Sequence, residues 1–271
     1  GQENVVKVPT DTEFRMDVTA LREAVRRDRG AGLLPFAVVA TVGTTSVTAV
    51  DPVPEIARVC EQEKLWLHVD AAYGGAAAVL ESRRWVLSGC EAADSLVVNP
   101  HKWLFTPIDC SVLYCRHEDV LKRAFSLTPA YLQTSEAGNV RNLMDYGSSL
   151  GRRFRSLKLW FVLRAFGIDG ARRRIAAHIE MAQALRGWIE ADPRFEMLAP
   201  TIFSTVVFRH RSTDSINERI HDEVNRSGKA FISHTEVRGA YALRVAIGNL
   251  RTPLDDVRAA WDLIREQAAR V

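Results

Sequence analysis

Two residues in this chain pair a chemically useful side chain with an apolar run just before it. Lys102 lies in the stretch Ser95-Leu96-Val97-Val98-Asn99-Pro100-His101-Lys102-Trp103-Leu104. Asp70 ends Leu65-Trp66-Leu67-His68-Val69-Asp70, ahead of Ala71-Ala72-Tyr73-Gly74-Gly75. Each apolar run reads as a buried strand, so each polar side chain falls at or just past a strand's carboxyl end. A lysine amine condenses with an aldehyde, and a carboxylate favours the protonated form of a ring nitrogen beside it. The two residues are 32 positions apart, which fits one βαβ crossover returning the chain in the same direction. Both carboxyl ends then open on one edge of the sheet, where open α/β sheets bind ligands.

Taken singly, neither residue says much. An aspartate at a strand end is ordinarily a cap or turn former, and a lysine after a strand is ordinarily solvated. As a pair they suggest a pyridoxal phosphate site, with Lys102 as covalent anchor and Asp70 as partner of the ring nitrogen.

The motifs His68-Val69-Asp70-Ala71-Ala72-Tyr73-Gly74 and Asn99-Pro100-His101-Lys102-Trp103-Leu104 resemble those of the group II pyridoxal-phosphate-dependent amino acid decarboxylases, above all the aromatic-L-amino-acid decarboxylases. The resemblance continues, in the right order, through Val39-Ala40-Thr41-Val42-Gly43-Thr44-Thr45 and the stretch from Leu150 to Trp160. It implies an α/β fold of the aspartate aminotransferase type (fold type I). Residues 1–150 would form part of the large domain with a mainly parallel sheet, and residues 151–271 a linking helix and a smaller C-terminal α/β domain.

The same resemblance implies decarboxylation of an aromatic L-amino acid to its amine, with pyridoxal phosphate as cofactor. It places Lys102, His101 and Tyr131 in catalysis. It places Lys102, Asp70, Ala72, Thr45, Asn99 and His101 around the cofactor, with Asn99 towards the phosphate and Ala72 small enough for the ring to lie flat. Tyr131 sits in an irregular stretch, 127–150, that reads as a lid. It matches the loop tyrosine that returns a proton to Cα after carbon dioxide leaves. Relatives that couple decarboxylation to oxidative deamination commonly carry phenylalanine there, so Tyr131 favours simple decarboxylation over an aldehyde synthase. An inert cofactor-binding subunit is the competing reading from another class. The segment between Asp145-Tyr146 and Leu150 is shorter than in the animal enzymes and lacks their usual Trp-Gln.

The resemblance begins in the middle of the family's pattern. A missing N-terminal portion, with a segment for the phosphate and a histidine that stacks on the ring, is therefore an expected partner, and a second copy in a homodimer is another. Tyrosine, dopa, tryptophan, 5-hydroxytryptophan, phenylalanine and histidine all stay open as substrates.

Composition agrees with a soluble globular protein: 47% hydrophobic, 25% charged, over 271 residues. A net charge of +3 gives no argument for nucleic acid, and no apolar run is long enough to span a membrane. Four cysteines and seven scattered histidines form no metal or disulfide pattern, and a reducing cytoplasm is the expected location.

The remaining elements follow from local signals. Val5 to Val8 reads as a short strand. Asp17 reads as the cap of a helix with Val18, Leu21 and Val25 on one face. Phe36 to Val42 reads as a buried strand ending in a Gly43-Thr44-Thr45 turn. By sequence alone those threonines are turn hydrogen-bonders. Asp51 reads as a cap with Pro52 opening the helix of Ile56, Val59 and Cys60. Ser111 to Arg116 reads as a strand with Cys110 and Cys115 pointing to opposite faces, and a helix with Val120 and Leu121 follows.

Gly151 to Phe166 reads as a helix whose first turn carries Arg152, Arg153 and Arg155 against the helix dipole. They either have anionic partners or face solvent or another subunit. Gly167 and Gly170 mark a hinge before a helix from Ala171 to Glu190. Strands are expected at 195–198, 204–209 and 241–247, and a helix near 215–226. A last helix is expected with Thr252 as cap.

Overall fold

The first half of the chain folds into β1 (Ala37–Thr41), β2 (Trp66–Asp70), β3 (Ser95–Val98) and β4 (Val112–Cys115). This is a computed structural model, and it describes residues 1–126 and 141–270. The strands lie in chain order. β1, β2 and β3 are parallel, and β4 returns antiparallel to β3. Thr41 stands opposite Asp70, and Asp70 opposite Val97, so three carboxyl ends are level.

From β1 to β2 the chain crosses through α2 (Val53–Glu63), which buries Val53, Ile56, Val59 and Cys60 at helical spacing. It is preceded by α1 (Val18–Gly30), with Leu21, Ala24 and Val25 buried. From β2 to β3 the crossover is a series of 3-10 turns at 74–79, 81–87 and 90–92. Close packing explains the small residues there. A Cβ on Gly74 would stand 2.6 Å from the Val42 carbonyl oxygen.

The caps divide cleanly. The Asp17 carboxylate accepts from the Thr19 and Ala20 N–H groups at 2.8 and 3.2 Å and caps α1 as expected. Replacing it with alanine should cost about 1 kcal/mol of stability, read as a shift in the denaturation midpoint. Asp51 does something else. It is 7% exposed and caps nothing. Its two oxygens accept from the Met16 and Thr41 N–H groups, each at 2.7 Å, tying the chain before α1 to the end of β1. Burial raises its pKa above the ordinary carboxylate value, against the pull of those two hydrogen bonds.

Several other expectations change. Val5 to Val8 forms no strand; the local pairing is a bridge between Thr10 and Met16. The run at β1 is buried on one side. Val38 and Ala40 are in the core, while Phe36 and Val39 are 77% and 54% exposed. Val39 shares its open face with His68, Asp70, Val97 and Leu113. The described residues cover one side of this sheet. Cys110 precedes β4, so strand parity does not set its direction; it is buried, and all four cysteines are free thiols.

After β4 come α4 (Glu118–Phe125) and then α5 (Arg155–Glu190), which is interrupted at Gly167 with φ 64°. A left-handed φ suits glycine and breaks the helix where the sequence marks a hinge. Asp109 is the anionic partner of the arginines before and at the start of α5. Its carboxylate accepts from Arg153 and Arg155, each at 2.7 Å, and this holds its carboxyl below the ordinary pKa, the Arg155 hydrogen bond foremost.

The second sheet contains β5 (Phe195–Met197), β6 (Thr205–His210), β7 (Ser233–Val237) and β8 (Ala240–Ala246), in the order β5-β6-β8-β7, all antiparallel. Phe208 and Leu243 on one face pack with α5, α6 (Asp214–Arg226) and α7 (Leu254–Ala268), through Leu185, Ile220 and Trp261. Val207 and Ala242 on the other face pack against Val47 and Ala49, beyond the end of β1. Thr252 does not cap α7; Pro253 holds the cap position, without a side-chain bond.

Candidate functional site

The carboxyl ends of β1, β2 and β3 deliver three turns to one edge, and backbone hydrogen bonds knit them together. Val42 N–H donates to Asp70 O at 2.8 Å, Ala71 N–H to Val97 O at 3.0 Å, and Asn99 N–H to Ala72 O at 3.1 Å. Thr45 lies on the first turn, Asp70 and Ala72 open the second, and Asn99, His101 and Lys102 occupy the third. There the chain forms one short helix, α3 as the third helix of the chain (Pro100–Trp103). The fold thus gathers these six residues at a single edge. Tyr131 lies outside the described residues.

Each side chain has a distinct environment. Asp70 is half-buried; its Oδ1 accepts from the Ala72 N–H at 3.0 Å, and its Oδ2 has no partner among the described residues. Lys102 is exposed, and its amine has no hydrogen bond or ion pair among the described residues. Asn99 Oδ1 accepts from the Ser111 hydroxyl at 2.6 Å, which leaves its amide N–H groups unclaimed there. His101 Nδ1 lies 2.7 Å from Cys110 O and 3.0 Å from Cys110 N. One nitrogen either donates to the carbonyl or accepts from the N–H, and in both cases Cys110 holds the ring. Thr44 Oγ1 accepts from Ala49 N–H at 2.9 Å, the ordinary turn role, whereas Thr45 is exposed. His68 Nδ1 pairs with the Ser95 hydroxyl of the neighbouring strand β3 at 2.8 Å.

This set fits pyridoxal phosphate. An amine and a carboxylate oxygen that have no partner among the described residues can bind the aldehyde carbon and meet a ring N–H, and the buried Ala72 offers a surface without bulk. A cleft of about 750 Å³ opens at the opposite end of the strands, beside Trp66, Asp94 and Arg116, and contains none of these residues.

Sequence reasoning missed the buried support beneath the edge. Tyr73, Trp103 and Phe203 form an aromatic cluster in which Tyr73 and Trp103 stack at 4.8 Å and 13°. Trp103 Nε1–H donates to His178 Nδ1 at 3.1 Å, and the Tyr73 hydroxyl pairs with Ser204 Oγ at 2.7 Å. The available signal was an aromatic residue within each motif, Tyr73 three positions after Asp70 and Trp103 directly after Lys102.

A mainly parallel α/β sheet with a lysine and a carboxylate at its carboxyl edge, followed by an antiparallel sheet under helices, is the architecture of fold type I pyridoxal phosphate proteins. Residues 2–211 match the pyridoxal-dependent decarboxylase conserved domain, and the chain belongs to that family. It is 40% identical to an aromatic-L-amino-acid decarboxylase of Sus scrofa over 97% of this chain and 55% of that protein. It is also 40% identical to a phenylacetaldehyde synthase of Arabidopsis thaliana over 98% of this chain and 56% of that protein. A crystal structure of Oryza sativa TDC with PLP and tryptamine superposes with a TM-score of 0.95 at 38% identity, covering 100% of this chain and 58% of that one. The chain spans about half the length of the curated relatives it matches.

Proposed function

We propose that this chain is the cofactor-anchoring part of an enzyme that converts an aromatic L-amino acid to its amine and carbon dioxide. The observation that carries the reading is the convergence of Lys102, its amine unpaired among the described residues, and Asp70 at one sheet edge in a member of this family. Pyridoxal phosphate, when bound, supplies a sink for the electron pair left as the Cα–carboxylate bond breaks. The residues of the chain do the rest. Lys102 would hold the aldehyde carbon through its amine, in the place the substrate amine takes. Asp70 holds the proton on the ring nitrogen through its Oδ2. Ala72 would leave room for a flat ring, Thr45 and His101 would line the site, and Asn99 would serve the phosphate. Tyr131 returns a proton to Cα.

The open face of the first sheet supports a covering segment from the N-terminal portion of the same protein, since parallel sheets are ordinarily covered on both faces. Trp160 and Phe161 on α5 are 53% and 57% exposed, which supports a homodimer contact. A cytoplasmic location accords with the four free thiols.

Borohydride reduction of the complete enzyme, followed by peptide mass mapping, should find the cofactor on Lys102, with amine and carbon dioxide formed in equal amounts from an aromatic amino acid. Cofactor on Lys102 without carbon dioxide release would make the chain an inert binding subunit and sink the activity. The aldehyde synthase relative at 40% identity favours a second reading, oxidative deamination coupled to decarboxylation. Tyr131 separates the two. Tyr131→Phe is expected to slow amine formation and divert part of the flux to aldehyde and peroxide, both assayed directly. A variant that makes amine at the wild-type rate would remove Tyr131 from the proton step.

A further inference from the structure

Among the described residues the Lys102 amine has no partner and the Asp70 carboxylate only the Ala72 N–H, yet the aromatic residues just beyond them are stacked and hydrogen-bonded. Trp103 follows Lys102 directly and is 1% exposed. Tyr73 comes three residues after Asp70, and the two rings stack on each other. Phe203, fully buried, closes edge-on against both at 5.9 Å. The indole N–H reaches His178 of α5, which is 3% exposed.

The hydrogen bonds fix the state of His178. An indole N–H is a donor only, so His178 Nδ1 must present its lone pair. Nε2 then carries the proton and donates to the Asn249 carbonyl, 3.2 Å away. The ring is therefore neutral, in one tautomer, with both nitrogens used. Phe105 packs edge-on against it at 5.8 Å. Burial accordingly pushes its pKa below the ordinary imidazole value.

We propose that Trp103, bonded to His178 and stacked on Tyr73, is the positioning residue that sets the Lys102 backbone against that of Asp70. The proposal rests on the reading of Lys102 as the cofactor anchor. α3 is a single turn and cannot hold its own orientation. Its orientation comes from below, where one end of the indole is fixed to α5 and its face to the segment carrying Asp70. Trp103 touches no reacting atom, and its contribution is alignment.

The test uses the complete enzyme loaded with pyridoxal phosphate. Trp103→Phe keeps a stacking ring but loses the N–H, and His178→Leu removes the acceptor. Each should lower kcat by up to about 10²-fold with a smaller change in KM, as misplacement of a reacting group by about 1 Å does. Each should also weaken the visible circular dichroism of the bound cofactor. His178→Gln, whose amide can accept from the indole and donate to Asn249, should restore both. Should Trp103→Phe not fold, the two His178 variants decide the matter. Wild-type dichroism and kcat with only a lowered melting temperature would overturn the proposal. So would a His178→Gln protein as impaired as His178→Leu. Borohydride mapping of the wild type keeps the two levels apart. Label on Lys102 preserves the site reading whatever the variants do, and label on another lysine removes the reading and this proposal together.

Discussion

Replacing Lys102 with alanine in the complete enzyme should bring amine formation to the detection limit, while the protein stays folded. Lys102 is exposed and its amine makes no hydrogen bond or ion pair among the described residues, so its loss strands no buried group. The stability change is that of a surface substitution, within about 0.5 kcal/mol. The chemical effect is much larger, because no second amine is on the same turn to take over the anchor. Enzymes generally accelerate their reactions by ~10⁶-fold or more, and loss of the covalent anchor removes the route through which that acceleration runs. Amine release under saturating cofactor, alongside a denaturation curve, checks both halves. Unchanged amine formation by a folded Lys102→Ala protein would refute the anchor assignment.

Asp51→Ala should have the opposite profile, with a large loss of stability and no direct chemical role. Removing the carboxylate strands the Met16 and Thr41 N–H groups, which it serves at 2.7 Å each. A buried donor left without a partner costs roughly 1–3 kcal/mol, so the pair should cost about 2–6 kcal/mol in urea denaturation of the complete protein. The sign of the pH dependence is also distinctive. Burial raises the pKa of Asp51 in the folded state above its unfolded value. The folded state then binds the proton more tightly, so this group's contribution falls as pH rises from the unfolded value through the folded one. Asp51 therefore does not drive acid unfolding, unlike Asp109, whose lowered pKa gives stability that is lost as pH falls.

What could be read from the sequence was what local pattern encodes. The strands carrying Asp70 and leading to Lys102 announced themselves as apolar runs, and the Asp17 cap had its helix directly after it. The misreadings share a cause. Asp51 stands before Pro52 and carries a cap's signature, but its partners lie 35 and 10 residues back along the chain. β7 went unseen because Ser233-His234-Thr235-Glu236-Val237 is polar at four of five positions; it pairs on one side only, at the sheet's edge. Phe36 and Val39 read as buried because composition cannot tell which side of a strand has a cover. Arg153 and Arg155 looked like helix residues opposed to the dipole. Their partner Asp109 is 44 and 46 residues away. His178, alone on a long helix, gave no signal, since its role depends on an indole 75 positions earlier.

The bonds that secure the candidate site have a consequence for the order in which the chain assembles. Trp103 to His178 closes a loop of 75 residues, Tyr73 to Ser204 one of 131, and Ser46 to Thr235 one of 189. Loop closure must be met in entropy before such contacts return anything, so they form late. The local strand and helix pairs that present Lys102 can appear early, but the floor beneath it waits for the far end of the chain. A cofactor that meets a half-assembled chain finds the amine and the carboxylate without their alignment. Tight capture becomes a property of the finished fold, and retention of pyridoxal phosphate becomes a direct report on whether the C-terminal third has docked.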